Sequence, residues 1–275
     1  MKQCMCRDKS IAYEVHGQAG KNPPLILLNG IMMSTKSWQQ FIPELTNNRQ
    51  LILMDFFDQG QSETCADWDY DHSVQVEAVE AVMDAVGAPV YDLAGVSYGA
   101  QVGLQVALSA PKRVRKLAVF NASAYTSPWL ADIGEAWNRT ARTYDAESYY
   151  YVALPYIYSN QFYTEHVEWM HARKQVLMEI FTNAFLDRMI RLTDSSKNFD
   201  IRDQLSKIQC PVLVVGADHD YITPINEAEY LKDHLSVCEY VELKDCGHAS
   251  MYEKPHAFYQ LLEGFFCQKS DIIIA

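Results

Sequence analysis

The chain alternates short, almost wholly apolar runs with longer segments in which apolar residues recur at helical spacing. Runs that are apolar at nearly every position are typical of parallel strands buried on both faces. Such runs predict seven strands, at residues 11–16, 25–29, 51–55, 90–94, 116–121, 211–216 and 238–243. The pattern therefore predicts the α/β class, with a mostly parallel central sheet and helices on both faces.

The segments between these runs read as helices. In residues 74–86, valines and a methionine fall on one face at helical spacing, and Gly87 follows as a stop signal. The carboxylates of the same segment fall on the other face, where water would solvate them. We therefore expect a helix that covers the sheet and ends at Gly87.

The alternation breaks from about Tyr125 to Phe199. This stretch has no strand-like run, strong helical periodicity and many tyrosines and tryptophans. We interpret it as a helical cap, residues 124–203, inserted between two parts of one α/β core, residues 1–123 and 204–275. Many of its aromatic residues are expected to pack the insertion against the core.

Composition and charge restrict the classes of partner that the protein is expected to bind. The 275 residues are 49% hydrophobic and 21% charged, with a formal net charge of −12 and no lysine- or arginine-rich run. Such a surface repels polyanions, so nucleic acid is not an expected ligand. Neither a signal peptide nor an apolar stretch long enough to span a membrane is recognised. Seven scattered cysteines favour reduced thiols and a cytoplasmic location. The sequence does not decide between a monomer and a homo-oligomer.

The most informative motif places Ser97 between Gly95 and Gly99. An apolar run, VYDLA, precedes it and a helix-periodic segment follows it. A sharp turn from strand to helix needs glycines at these positions and lifts the serine hydroxyl clear of the sheet at a helix N-terminus. The motif in this context predicts a nucleophile, whereas the alternative is a small turn residue.

A nucleophilic serine needs a base, itself oriented by an acid. His248 follows the last predicted strand directly after Gly247, and Asp218 and Asp220 follow the strand at 211–216. The carboxyl ends of parallel strands share one edge, so these residues can meet there. His219 lies inside the acid loop and is not expected to reach the serine. Spacing alone does not decide whether Asp218 or Asp220 is the acid that orients the base.

The chain resembles the α/β-hydrolase fold superfamily, in particular its lidded serine esterase, lactonase and thioesterase branch. The resemblance covers nearly the whole length through LILLNGIMMSTKSW, LILMDFFDQGQSE, LAGVSYGAQVGLQVAL, IQCPVLVVGADHDYITP and CGHASMYEKPHAF, in family order. Relatives commonly carry the acid four residues before a proline, and Pro224 then assigns Asp220 over Asp218. The resemblance also implies an oxyanion hole made by the backbone amides of Ile31 and Tyr98.

Two positions depart from the family pattern. Asn29 stands where histidine is usual, and Asp58 stands where glycine is usual. Backbone donors survive a change of side chain, but the pocket shape and the hydrogen bonds around it change at that end. Asn29 has the alternative reading of a turn residue that bonds its own backbone.

The expected chemistry is acyl transfer to water, with Ser97, His248 and Asp220 catalytic and with no cofactor or metal. The substrate is expected to be a small-molecule ester with a small to medium apolar acyl group, selected by the aromatic insertion. A lactonase, a thioesterase, an acyltransferase or a carbon–carbon bond hydrolase would use the same residues. A ligand receptor or pseudoenzyme that keeps the pocket is the alternative from another class.

Overall fold

The structure, a computed structural model, describes residues 1–267 and is built around a single eight-stranded sheet. Its strands are β1 (Lys2–Cys6), β2 (Lys9–His16), β3 (Leu25–Leu28), β4 (Leu51–Met54), β5 (Tyr91–Val96), β6 (Val114–Phe120), β7 (Val212–Ala217) and β8 (Cys238–Leu243). Their order is β1-β2-β4-β3-β5-β6-β7-β8. The β1–β2 and β2–β4 pairs are antiparallel and all others are parallel. The predicted mostly parallel sheet is confirmed.

Helices cover both faces of this sheet, as predicted. They are α1 (Ile42–Leu45), α2 (His72–Val86), α3 (Tyr98–Ser109), α4 (Pro128–Ala141), α5 (Ala146–Ile157), α6 (Asn160–Glu165), α7 (Val167–Ile180), α8 (Asn183–Ser195), α9 (Ile225–His234), α10 (Ser250–Glu253) and α11 (Pro255–Phe266). Short 3-10 helices lie at Thr35–Phe41 and Arg202–Lys207.

Alternate residues of the central strands enter two separate cores. Leu27 of β3 belongs to the cluster that holds Phe258 of α11, whereas its neighbour Leu28 belongs to the cluster that holds Val79 of α2 and Val102 of α3. Successive side chains of a strand point to opposite faces, so an apolar run is buried on both sides. This double burial explains why the strands are apolar at nearly every position.

The predicted elements match the structure except at the first strand. Each of the seven apolar runs overlaps an observed strand, and α2 begins at His72 after Asp71, whose side chain accepts a hydrogen bond from the Ser73 amide. The helix ends at Gly87, which adopts a φ of 75°. Strand β1 was missed because KQCMC is a mostly exposed edge strand and lacks a continuous apolar run.

The segment between β6 and β7 contains α4 to α8 and the 3-10 helix at Arg202–Lys207, and its only described β pairing is an isolated bridge between Tyr125 and Asp200. Within it, α4 packs on α5 and α8, and α5 packs on α7.

None of the helices in residues 1–267 combines the length and apolar composition required to cross a membrane.

The sheet order brings four loop segments to one edge. Strands β5, β6, β7 and β8 are parallel neighbours, so their carboxyl ends lie side by side. Ser97 and Asn121 directly follow β5 and β6, and Asp220 and His248 lie in the loops that follow β7 and β8. Ligands of open α/β sheets bind at this edge.

Candidate active site

Ser97 lies on a strained turn between β5 and α3. Its φ of 53° and ψ of −121° are unusual for a residue with a side chain, and its amide donates to the Phe120 carbonyl of β6 at 2.9 Å. A Cβ at Gly95 would lie 2.5 Å from the Gly99 carbonyl oxygen, and one at Gly99 would lie 2.5 Å from that of Leu28. Both glycines are therefore needed for the close approach of the turn, the helix and β3.

The three residues expected to be catalytic form one hydrogen-bonded chain. Ser97 Oγ lies 2.8 Å from His248 Nε2, and His248 Nδ1 lies 2.8 Å from Asp220 Oδ2. The His248 side chain keeps only 10% of its exposure, and that of Asp220 has none. Asp218 instead accepts a hydrogen bond from the Cys246 amide at 3.3 Å, away from the imidazole. The arrangement places Asp220, not Asp218, behind His248.

Asp220 is held as a buried anion. Burial raises the pKa of its carboxyl group, but the attraction of His248 and several hydrogen bonds outweigh burial, so the pKa lies below its usual range. The donors include the amides of Ile222 and Thr223, at 2.8 and 2.9 Å from Oδ1. Such an acceptor keeps a proton on His248 Nδ1 and leaves Nε2 free to act as a base.

Two residues of this network were not identified from the sequence. Asn121 donates through Nδ2 to Asp220 Oδ2 at 3.0 Å and accepts from Ser250 Oγ at 2.6 Å. Thr223 donates through Oγ1 to the same Asp220 oxygen at 2.9 Å. Asn121 adopts a φ of 51° and directly follows β6. A polar residue at the carboxyl end of a buried strand is the signal that could have found it.

The two amides expected to form an oxyanion hole flank the serine. Tyr98 N is the first amide of α3, and Ile31 N follows Gly30 in the loop after β3. A Cβ at Gly30 would lie 3.6 Å from Ser97 Cβ, so this loop passes directly beside the nucleophile. Within residues 1–267 neither amide donates a hydrogen bond to another protein group. Both donors are therefore available to a ligand oxygen.

The loop that carries Ile31 is fixed by buried amide side chains. Gln59 Nε2 donates to the carbonyls of Gly30 and Ile31 at 2.8 and 2.9 Å, and Asn29 Nδ2 donates to Gln59 Oε1 at 3.0 Å. Asn29 also accepts from Trp38 Nε1 at 2.7 Å. Asn29 is thus a buried bridge between core segments, and the alternative reading as a self-bonded turn residue is not what the structure shows.

A family comparison agrees with this fold and with this edge of the sheet. The family model described as alpha/beta hydrolase fold matches residues 23–255. The chain belongs to the alpha/beta hydrolase fold family. The expected resemblance is confirmed at this level.

Relatives within the alpha/beta hydrolase fold family are hydrolases. The crystal structure of MGS-M2, an alpha/beta hydrolase enzyme from a Medee basin deep-sea metagenome library, is 43% identical, with a TM-score of 0.95 and coverage of 99% of this chain and 100% of that one. A pimeloyl-[acyl-carrier protein] methyl ester esterase of Nitrosomonas europaea is 28% identical over 87% of this chain and 94% of its own. The 3-oxoadipate enol-lactonase 2 of Acinetobacter baylyi is 25% identical over 94% of this chain and 93% of its own. These similarities support a hydrolase of esterase or lactonase type.

A cavity of about 180 Å³ opens onto Ser97 in this alpha/beta hydrolase. Pockets that enclose drug-sized ligands usually have about 300–1,000 Å³, so this cavity suits a smaller molecule. Its lining is mostly apolar and comes from the core and from the helices between β6 and β7. Lining residues from the segment between β6 and β7 include Leu130, Ile133, Trp137, Leu154, Ile157, Tyr158, Arg173, Leu177 and Phe181.

One group of side chains has the spacing of a metal site. The ligand atoms of Asp218, His219 and Asp245 all lie within 4.8 Å of one another, and Asp245 is exposed. Exposed acidic groups commonly lie this close without an ion. His219 donates its backbone amide to the Cys246 carbonyl at 2.9 Å and does not contact Ser97, as expected for a residue of the acid loop.

Proposed function

We propose that this alpha/beta hydrolase is a serine hydrolase that cleaves carboxylic esters with small to medium apolar acyl groups, through an acyl-enzyme on Ser97. The observation that carries the proposal is the chain of two 2.8 Å contacts from Ser97 through His248 to Asp220 at the edge of an apolar cavity. A hydroxyl becomes nucleophilic when such a base can take its proton.

The proposed reaction has two mirrored halves. His248 Nε2 takes the proton of Ser97, whose Oγ attacks the ester carbonyl, and the amides of Ile31 and Tyr98 bind the oxyanion. The tetrahedral intermediate collapses when His248 gives the proton to the departing alcohol, which leaves an acyl-enzyme. Water then enters, gives a proton to His248 and attacks the acyl carbon; the bond from this carbon to Ser97 Oγ breaks as His248 returns the proton to Oγ, and the acid is released. Asp220 stabilises the imidazolium in both halves.

We assign residues 124–203 to a cap over an α/β-hydrolase core assigned to residues 1–123 and 204–275, of which residues 268–275 lie outside the part of the chain that the structure describes. The support is that α4, α5, α7 and α8 contribute much of the cavity lining while Ser97 and His248 contribute the chemistry. A cap of this kind excludes water and selects substrates by size. The small cavity favours short and medium acyl chains over long ones.

Lactone hydrolysis is a second candidate, because a relative of similar length is named an enol-lactonase. A lactone would form the same acyl-enzyme, with its alcohol still attached to the acyl group.

The seven cysteines are all free thiols, which supports the proposed cytoplasmic location.

Labelling with a fluorophosphonate tests the proposed nucleophile. Wild-type protein and Ser206→Ala, which changes an exposed serine outside the cavity lining, should be labelled equally, and Ser97→Ala should not be labelled. Unmodified wild-type protein, assayed separately, should hydrolyse nitrophenyl esters with a maximum at short or medium acyl chains. A steady rise toward long chains would contradict the assigned substrate size. If the probe does not react with wild-type protein, and this protein hydrolyses neither esters nor lactones, the result would instead indicate a ligand receptor or pseudoenzyme.

A further inference from the structure

A cationic side chain lies in the same cavity as the proposed nucleophile. Arg173 of α7 is partly buried and lines the cavity together with Ser97 and His248. Its Nε is closed off from solvent and has no hydrogen-bond partner among residues 1–267. Burying a donor of a charged group without a partner is costly, so such donors are normally satisfied. The unpaired Nε therefore needs a partner that the described chain does not provide.

Neighbouring basic side chains of the insertion do have acidic partners. Lys174, the next residue of α7, pairs with Glu147, and Arg191 of α8 pairs with Asp58. In the described part of the chain, no carboxylate oxygen lies within 4.0 Å of the Arg173 guanidinium, since no such ion pair occurs there. Arg173 thus differs from these neighbours in having no counter-charge.

The carboxylates that line the cavity are already paired with other groups. Glu135 lies 2.7 Å from Arg139 one turn further along α4, and Asp194 accepts from Asn138 Nδ2 at 2.8 Å. Neither contacts Arg173. The positive charge inside the cavity is therefore not neutralised by the acidic residues of its lining.

Two aromatic side chains pack against the guanidinium, and the hydroxyl groups of Tyr158 and Tyr252 also lie near it, but neither hydroxyl provides Nε with a partner. The Arg173 Cζ lies 5.2 Å from the ring centre of Trp169 and 4.6 Å from that of Tyr252. Stacking covers the faces of a guanidinium, whereas its five N–H donors lie in its plane. A planar cation fixed in this way is suited to bind a carboxylate through two parallel hydrogen bonds.

We infer that Arg173 is the binding site for a carboxylate group of the substrate, so that the enzyme prefers esters with a negatively charged group away from the scissile bond. Half-esters of dicarboxylic acids have this chemistry. The identity of the reaction rests on the proposed function, but the binding site rests on the surroundings of Arg173 alone. Arg173 would act as a specificity residue, because it recognises a part of the substrate that does not react.

Matched substrates test this inference directly. Monoethyl adipate and ethyl hexanoate have acyl chains of equal length and differ in a terminal carboxylate or methyl group, and shorter and longer pairs cover other distances. Release of ethanol gives kcat/KM for each. We expect wild-type protein to favour the best half-ester over its neutral partner by about 10- to 100-fold, the range of a charge-assisted hydrogen-bonded pair.

Variants assign the preference to one side chain. Arg173→Met should lower kcat/KM for the half-ester about 10- to 100-fold more than kcat/KM for its neutral partner, so that the preference disappears, and Arg173→Lys should keep part of the preference through its charge. Arg142→Met is the matched control, because it removes an exposed arginine of the same insertion that does not line the cavity. It should keep the full preference.

The outcomes separate this inference from the proposed function. Ester turnover without preference for any half-ester would overturn the Arg173 site and leave the serine hydrolase intact. If no ester or lactone is turned over, the proposed function fails, and calorimetric titration of adipate into wild-type protein decides the site. Binding that Arg173→Met removes and Arg142→Met retains would support it. Absence of binding to wild-type protein would overturn it.

Discussion

The ion pair between Asp58 and Arg191 joins the helical insertion to the core, and its removal should destabilise the protein. Asp58 follows β4 and has no exposed side-chain surface, while Arg191 lies on α8. Arg191 Nε lies 3.1 Å from both carboxylate oxygens, and Nη2 lies 2.6 Å from Oδ1. The same carboxylate accepts hydrogen bonds from Thr64 Oγ1 at 2.7 Å and Tyr70 OH at 2.8 Å. The perturbations are Asp58→Asn and Arg191→Met.

The expected magnitude follows from the burial of the two charges. Unit charges about 4 Å apart attract by about 4 kcal/mol at an effective dielectric constant of 20. Removing both charges from water offsets part of this attraction. Arg191 also keeps 22% of its side-chain exposure, so water screens the pair from one side. We therefore expect a coupling free energy of about 1.5–3 kcal/mol between the two positions.

A double-mutant cycle measures this coupling from urea unfolding of wild type, both single variants and the double variant. The matched control is the pair of Arg7 and Glu77, which is also bidentate, at 2.7 and 2.8 Å, but has side chains 45% and 48% exposed. Its coupling should stay within about 0.5 kcal/mol. Equal coupling in the two cycles would refute the argument that burial makes the pair between insertion and core strong.

Three further perturbations test the site and its surroundings. Ser97→Ala and His248→Ala should each lower kcat by about 10⁴- to 10⁶-fold, and the double variant should lose little more, because the residues act as a unit; a multiplicative loss in steady-state kinetics would contradict this. Asp220→Asn should lower kcat by about 10³- to 10⁴-fold, whereas Asp218→Asn should stay within about tenfold, and the reverse order would move the acid to Asp218. Burial lowers the pKa of His72 from 6.5 to about 3, so the unfolded chain binds a proton that the folded chain excludes between these values. The contribution of neutral His72 to the free energy of unfolding is therefore complete above pH 6.5 and decreases as the pH falls, by about 2 kcal/mol at pH 5. In urea unfolding measured at both pH values, His72→Gln should lack this decrease. The same pH dependence in wild type and variant would refute the assignment to His72.

Most of the sheet was predictable because each strand that is buried on both faces has apolar residues at nearly every position of its own sequence. LILL of β3 and LILM of β4 are apolar at every position, and each position is buried. The edge strand β1 has one buried residue in five and is ordered by its antiparallel pairing with β2. Pairing through backbone groups leaves little trace in side-chain hydrophobicity, so the sequence did not predict that strand.

The proposed catalytic residues were predictable because each carries a local signal. Ser97 has its two glycines, and His248 and Asp220 each follow a buried strand. The choice of Asp220 over Asp218 came from the family resemblance, since spacing alone did not separate them. Gln59 was missed because its role depends on Gly30 and Ile31, which lie about 30 residues away in the chain and have no fixed spacing to it.

The two departures from the family pattern show what a motif comparison leaves out. Asp58 adopts a φ of 63°, a conformation that glycine adopts without strain and aspartate tolerates better than most residues. The strain is offset by contacts with Arg191, 133 residues later in the chain. Asn29 likewise gains its buried partners from Trp38 and Gln59. Each departure is therefore half of an interaction whose other half lies elsewhere, and its effect follows from the partner that the fold supplies rather than from the missing family residue.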